Sequence, residues 1–263
     1  MNEEPIPRSY KAIKSFRNAL DSISEEKRSK IILALDLDYR EDTRNLLRDA
    51  KKITKATSDY ICAVKINHHL MLPLSIADIA SLNKSIAEEG LLSIADLKLN
   101  DIDNTNRVAT EYLWAAGYSA VIVNPFAGYP GALDVVFKNA RQLGKGVITL
   151  AYMSHKGADE GYGLKLESGK TIFDEFLERA KRWGSDGIIL GTTRPEKIRI
   201  ARKTVGKNVK IICPGSGAQG GDSFASIGAG ADYLIFGRSI VLSVNPRSAV
   251  KQIFQSIAST MKN

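Results

Sequence analysis

Short runs of consecutive apolar residues recur along the chain at residues 31–36, 60–66, 91–98, 120–124, 146–151, 187–191, 209–214 and 233–237. Most positions within each run are apolar, with no strict alternation, which is the pattern of strands buried on both faces of a parallel sheet. The runs lie about 23–40 residues apart, enough for a crossover helix in each interval. Eight strand–helix units in succession predict an α/β fold, a (β/α)8 TIM barrel rather than an open doubly wound sheet. Residues 8–30 read as an extra helix ahead of the first strand, placed to close the bottom of the barrel. Residues 246–261 read as the final helix. No shift in composition marks a domain boundary, so residues 1–263 are expected to form a single domain, with 1–30 a helical extension and 31–263 the barrel.

One interval departs from the pattern. After the fifth run comes Tyr152-Met153-Ser154-His155-Lys156-Gly157, then Gly161, Gly163 and Gly169, with no helical reading until about Thr171. A long glycine-rich loop on the active face of a barrel is a lid candidate, and an irregular surface excursion is the alternative.

Composition narrows the class further. The chain has 263 residues and a formal net charge of +8. Its lysines and arginines are scattered along helical segments, without aromatic interleaving or a nucleic-acid motif, so a solvated basic surface is expected rather than nucleic-acid binding. The positive field would also attract a phosphorylated small molecule. No apolar run approaches the ~20 residues of a membrane span, and residues 1–17 lack the apolar core of a signal peptide. A cytoplasmic protein is expected. Cys62 and Cys213 each sit in an apolar run and read as buried, reduced thiols.

Charged residues stand where these strands end. Asp36 closes the first run, Lys65 lies in the second, and Asp96 and Lys98 close the third, followed by Asp101 and Thr105 in a turn and helix start. Residues two apart on a strand face the same way, so Asp96 and Lys98 project together. In a barrel, strand C-terminal ends converge on one rim, where catalytic groups sit. Four charged groups on adjacent strand ends would be costly to bury without a purpose.

A second group follows the last two strands. Pro214-Gly215-Ser216-Gly217-Ala218-Gln219-Gly220-Gly221-Asp222 comes after the seventh run and Phe236-Gly237-Arg238-Ser239 ends the eighth. Barrels commonly bind phosphate in these loops. Glycines let backbone N–H groups approach an anion, and Arg238 can add a two-pronged contact. A phosphorylated ligand is therefore expected. The histidines His68, His69 and His155 show no zinc-site spacing. Magnesium ligation by Asp96 and Asp101 stays open on residue type alone. A dinucleotide fingerprint is absent, because the glycines at 215–220 lack the following acidic residue.

Taken together, Asp-x-Lys-x-x-Asp-Ile-x-x-Thr at 96–105 resembles the signature of the orotidine 5′-monophosphate decarboxylase family. Ala34-Leu35-Asp36, Val64-Lys65-Ile66, Met153-Ser154, Pro214-Gly215 with Gly217-Ala218-Gln219-Gly220-Gly221, and Gly237-Arg238-Ser239 match it in order. The resemblance implies a homodimeric barrel that converts orotidine 5′-monophosphate (OMP) to uridine 5′-monophosphate (UMP) and CO2 in pyrimidine biosynthesis, with no metal or organic cofactor. It implies that Asp96 faces the leaving carboxylate and that Lys98 protonates the ring carbanion. Asp101 and Thr105 would reach into the partner's site, and Asp36 and Lys65 would bind the ribose hydroxyls, with Lys65 completing the alternating charges. Ser154 would contact the pyrimidine. Pro214, Gly215, Gly217, Gln219, Gly237 and Arg238 would surround the phosphate.

Two positions depart from the family pattern: Asn67 stands where glycine is common, and Lys156 where proline is often seen. The nearest rival is a magnesium-dependent sugar-phosphate aldolase or decarboxylase, which shares Asp-x-Lys-x-x-Asp. Such a metal would need further rim carboxylates, but the second strand offers Lys65. A barrel that binds a phosphoribosyl ligand without catalysis is the non-enzymatic alternative.

Overall fold

The computed structural model describes residues 15–38, 42–191, 194–214 and 221–260, without the side chains of 221–224 and 260. Eight parallel strands close into a barrel in sequential order: β1 (Ile31–Ala34), β2 (Ala63–Ile66), β3 (Leu92–Leu99), β4 (Ala120–Val123), β5 (Gly146–Tyr152), β6 (Gly187–Leu190), β7 (Lys210–Pro214) and β8 (Tyr233–Phe236). Helices follow each strand, as the spacing of the apolar runs predicts. Among the described residues no helix is long and apolar enough to cross a membrane.

The period of two along each strand sorts its side chains into two layers. Ile32, Ala34, Ala63, Ile94, Ala120, Ile122, Ile148, Leu150, Ile189, Ile212, Tyr233 and Ile235 fill the barrel interior. Their neighbours, among them Leu33, Val64, Ala95, Val121, Val147, Ile188, Ile211 and Leu234, pack outward against the helices. With both faces buried, the strands need apolar residues throughout, which explains the unbroken runs.

The extra N-terminal helix, α1, spans Phe16–Lys27; residues 8–14 of the expected segment lie outside the described residues. Ser15 caps its start by accepting from the Asn18 amide. Phe16 and Leu20 belong to the interior cluster, so α1 closes the barrel at the end away from the charged rim. Gly146 makes room for it: a Cβ there would lie 2.4 Å from the Phe16 ring.

Several boundaries differ from the sequence reading. The second strand begins at Ala63 because Ser58–Tyr60 forms a 3-10 turn. The first ends at Ala34, two residues short of Asp36. In the glycine-rich interval a short helix, Ala158–Tyr162, precedes the long helix Ile172–Trp183. Gly161 and Gly163 obscured it, since glycine disfavours helix. Cys62 and Cys213 are buried and unpaired, and burial pushes both thiols up to about 12.

Candidate active site

The inward rows of β2 and β3 carry apolar residues at the bottom and charge at the top. Lys65 follows Ala63 and Asp96 follows Ile94 on the same inner face. Asp96 is buried at 6% exposure and Lys65 likewise at 6%. One carboxylate oxygen of Asp96 accepts from Lys65 Nζ at 2.7 Å, and the other accepts from Lys98 Nζ at 2.7 Å. Asp36 Oδ1 lies 3.8 Å from Lys65 Nζ. The order Asp36–Lys65–Asp96–Lys98 is therefore a chain of alternating charge, with neighbouring groups in ion-pair range.

Electrostatics at Asp96 sets two effects against each other. Burial drives its carboxyl up, but the Lys65 and Lys98 ammonium groups, by charge and by hydrogen bonding, outweigh it and hold the carboxyl below its ordinary range. Asp96 is thus an anion shared between two ammonium groups in a buried position.

Asp96 and Lys98 come together as the sequence predicts, but not along a regular strand. The pairing of β3 with β4 shifts register between Ala95 and Leu99, and Lys98 has a φ of +51°. A non-glycine residue there costs about 1–2 kcal/mol. Strain of this kind concentrates at functional sites.

Lys65, Asp96 and Lys98 form one wall of a cavity of about 170 Å³. Ile122, Leu150, Ile189 and Ile235 make its floor and far side, and Met153, Ser154 and Pro214 its upper rim. Such a pocket suits a flat ring held against an ion-pair array. Gly237 sits beside Asp36, where a Cβ would lie 3.2 Å from the carboxylate. Arg238 is exposed at the start of the short helix Arg238–Val241.

Not every expected residue converges here. Asp101 and Thr105 are exposed and do not line the cavity of their own chain. The Asp101 carboxylate instead accepts from the Ile102 amide at 2.8 Å. Gly215, Gly217 and Gln219 lie outside the described residues. One residue was missed as a participant: Asn67 donates to Asp36 Oδ1 at 2.6 Å while its own carbonyl oxygen accepts from the His69 amide at 2.9 Å. The signal was present, because an asparagine ahead of a helical turn is a cap candidate. Capping fixes the amide so that its NH2 faces Asp36.

Among the described residues, no three His, Cys, Asp or Glu side chains gather as a metal-binding group.

A profile of the Orotidine 5′-phosphate decarboxylase / HUMPS family matches residues 29–253. The chain belongs to this family. It is 37% identical to the orotidine 5′-phosphate decarboxylase of Pyrococcus furiosus over 227 residues, 86% of this chain and 97% of that one. The Methanosarcina barkeri enzyme of the same name is 36% identical over 232 residues, covering 88% and 96%. Among solved structures, the Methanocaldococcus jannaschii orotidine 5′-monophosphate decarboxylase complexed with the inhibitor BMP superposes with a TM-score of 0.71 at 31% identity, over 87% of this chain and 98% of that one.

Proposed function

We propose that this protein decarboxylates OMP to UMP without a metal or organic cofactor. The observation that carries the reading is the Lys65–Asp96–Lys98 array on the wall of a small cavity whose other lining is apolar except for Ser154, in a chain of this family.

Decarboxylation without an electron sink leaves an electron pair localised on one ring carbon. Help must come from charge fixed in place before the reaction. In the proposed step the bond from C6 to the carboxylate breaks, CO2 departs, and the electron pair stays on C6. Lys98 Nζ then gives a proton to C6, forming the C–H bond of UMP, and the neutral amine regains a proton from solvent. Asp96 faces the departing carboxylate, where like charges repel until CO2 leaves as a neutral molecule. Its two hydrogen bonds with lysines keep it anionic and hold Lys98 in place.

The remaining groups bind. Asp36, oriented by Asn67, and Lys65 hold the ribose hydroxyls, and Ser154 meets the pyrimidine. Pro214, Gly237 and Arg238, with Gly215, Gly217 and Gln219, hold the phosphate. Binding energy from that remote phosphate can align the ring against the charge array. Asp101 and Thr105 complete the site of a second copy in a homodimer. Their exposure, and that of the adjacent Ile102 at 67%, supports this arrangement.

Against the magnesium-dependent rival, both oxygens of Asp96 are engaged by lysine ammonium groups, which occupy the place a metal would need. An ultraviolet assay of OMP loss in excess chelator tests the proposal. Turnover that persists supports it. A folded protein that turns over OMP only with added magnesium, or not at all, contradicts it.

A further inference from the structure

Tyr152 ends β5, and the chain passes directly from it to Met153 and Ser154 on the cavity rim. Its ring is buried against Tyr162 and Phe173. The hydroxyl donates to Asp159 Oδ1 at 2.7 Å. Asp159 Oδ2 meets Arg194 Nη2 at 2.6 Å, and Lys197 Nζ lies 3.7 Å from Oδ1. Lys197 also stands 4.5 Å from the centre of the Tyr152 ring. Asp159 belongs to the short helix Ala158–Tyr162, whereas Arg194 and Lys197 lie at the start of the helix after β6, Pro195–Val205. One carboxylate therefore joins the end of β5, the segment returning from the cavity rim, and the start of the next helix.

A second tie runs beside it. The Gly191 amide donates to the Tyr152 carbonyl at 3.1 Å. A Cβ at Gly191 would lie 2.8 Å from Ser154 Cα and 2.9 Å from Ser154 Cβ, so only glycine allows this approach. Residues 153–157 thus form a short loop fixed at both ends, with the two cavity-lining side chains at its start.

Asp159 is exposed, and an exposed ion pair contributes little to global stability. Its tie to the buried Tyr152 is a different matter, since a buried hydroxyl requires a partner. Burial first, and the hydrogen bond to Asp159 second, push the phenol up to about 12, so it stays a donor. The same hydrogen bond, with Arg194 and Lys197, holds the Asp159 carboxyl below its ordinary range. Breaking this tie releases a loop rather than the fold.

We propose that Asp159 is a positioning residue: through Tyr152 and Arg194 it keeps residues 153–157 closed, so that Met153 and Ser154 stand as a formed wall for the pyrimidine ring. This rests on the reading of the ligand as OMP. Asp159 itself touches no substrate. Without the tie, part of the population has an open wall, and apparent affinity falls by the closed fraction. Bound substrate restores the wall, so the rate at saturation is kept.

The test compares Tyr152→Phe, Asp159→Ala and Asp159→Glu with the full-length parent, each checked for folding by circular dichroism. Tyr152→Phe and Asp159→Ala are expected to lower kcat/KM about five- to tenfold, the size of one ordinary hydrogen bond. The change lies in KM, with kcat within about twofold, and Asp159→Glu recovers most of it. The inhibition constant of UMP rises by the same factor, while that of ribose 5-phosphate, which lacks the ring, does not move. Variants with parental kcat/KM, or an equal loss for ribose 5-phosphate, overturn the inference while an active parent leaves the decarboxylase reading standing. A folded parent that does not turn over OMP removes that reading, and the inference with it.

Discussion

Lys98 reaches Asp96 at 2.7 Å from a backbone held at φ +51°, a conformation that favours glycine. The lysine that pairs with Asp96 is therefore not the residue that the backbone prefers. Replacing it separates the two demands. Lys98→Ala and Lys98→Gly both remove the ion pair with Asp96, but glycine accepts the left-handed backbone. Urea denaturation is expected to show Lys98→Gly more stable than Lys98→Ala by about 1 kcal/mol, after allowing for glycine's freer unfolded chain. Equal or reversed stabilities would mean that the backbone relaxes once the lysine is gone.

Asp96 is the negative charge between two ammonium groups, and Lys65 is as buried as Asp96. Asp96→Asn leaves Lys65 with only Asp36, 3.8 Å away. Removing one member of a buried pair typically costs about 3–5 kcal/mol, and the lower end is expected here because Asp36 remains. The difference is pH dependent. The Asp96 carboxyl is held below its ordinary value in the folded chain, so on acidification the unfolded chain takes up the proton first. Its stabilising contribution is present in full above the unfolded value of about 4 and is lost as the pH falls through the lower folded value. Denaturation curves should show the gap between parent and Asp96→Asn constant at neutral pH and narrowing only as the pH falls below about 5. A gap independent of pH would contradict the charge assignment.

Asn67 combines two tasks that substitution can divide. Serine keeps a helix cap but cannot reach Asp36 as the amide does. Asn67→Ser and Asn67→Ala are both expected to raise KM for OMP by about three- to tenfold through the loss of one hydrogen bond to Asp36. Only Asn67→Ala should also lose about 1 kcal/mol of stability with the cap. Steady-state kinetics and thermal melts of the pair read the two effects. An unchanged KM in both would show that Asp36 needs no orienting partner.

At the opposite end of the barrel, Gly146 and Phe16 are matched in shape. Gly146→Ala places a methyl group 2.4 Å from the Phe16 ring and should lower the melting temperature by displacing α1. Overpacking of this kind costs about 1–3 kcal/mol. Combining it with Phe16→Leu should recover part of the loss, because the smaller side chain leaves room. Activity at the other end should follow stability alone. An additive double variant would contradict direct packing.

Most of the barrel was legible because burial on two faces leaves a plain mark: Ile31–Ala34, Ala120–Val123 and Tyr233–Phe236 are uninterrupted apolar runs. The charges at Asp36, Lys65, Asp96 and Lys98 were legible for a related reason, since each interrupts or ends such a run. What escaped the reading depends on contacts between distant residues or on backbone detail. The register shift between Ala95 and Leu99 leaves no mark in residue type, and neither does the left-handed backbone of Lys98. The link from Tyr152 to Asp159 and Arg194 joins three segments that only the closed barrel brings together. Asn67 looked like a departure from a pattern because its role lies in where its amide points.

The most direct test of the central claim is steady-state turnover of OMP by the parent and by Lys98→Ala, side by side in excess chelator, with folding checked by circular dichroism. Proton transfer from a positioned side chain typically contributes about 10²–10⁴-fold. Fast turnover by the parent and a loss of at least about a thousandfold in the folded variant are the predicted result, since in the proposed step Lys98 would also supply the cation beside the carbanion. A folded Lys98→Ala protein with near-parental turnover, or a parent that depends on an added metal ion, would contradict a decarboxylation driven by the Lys65–Asp96–Lys98 array.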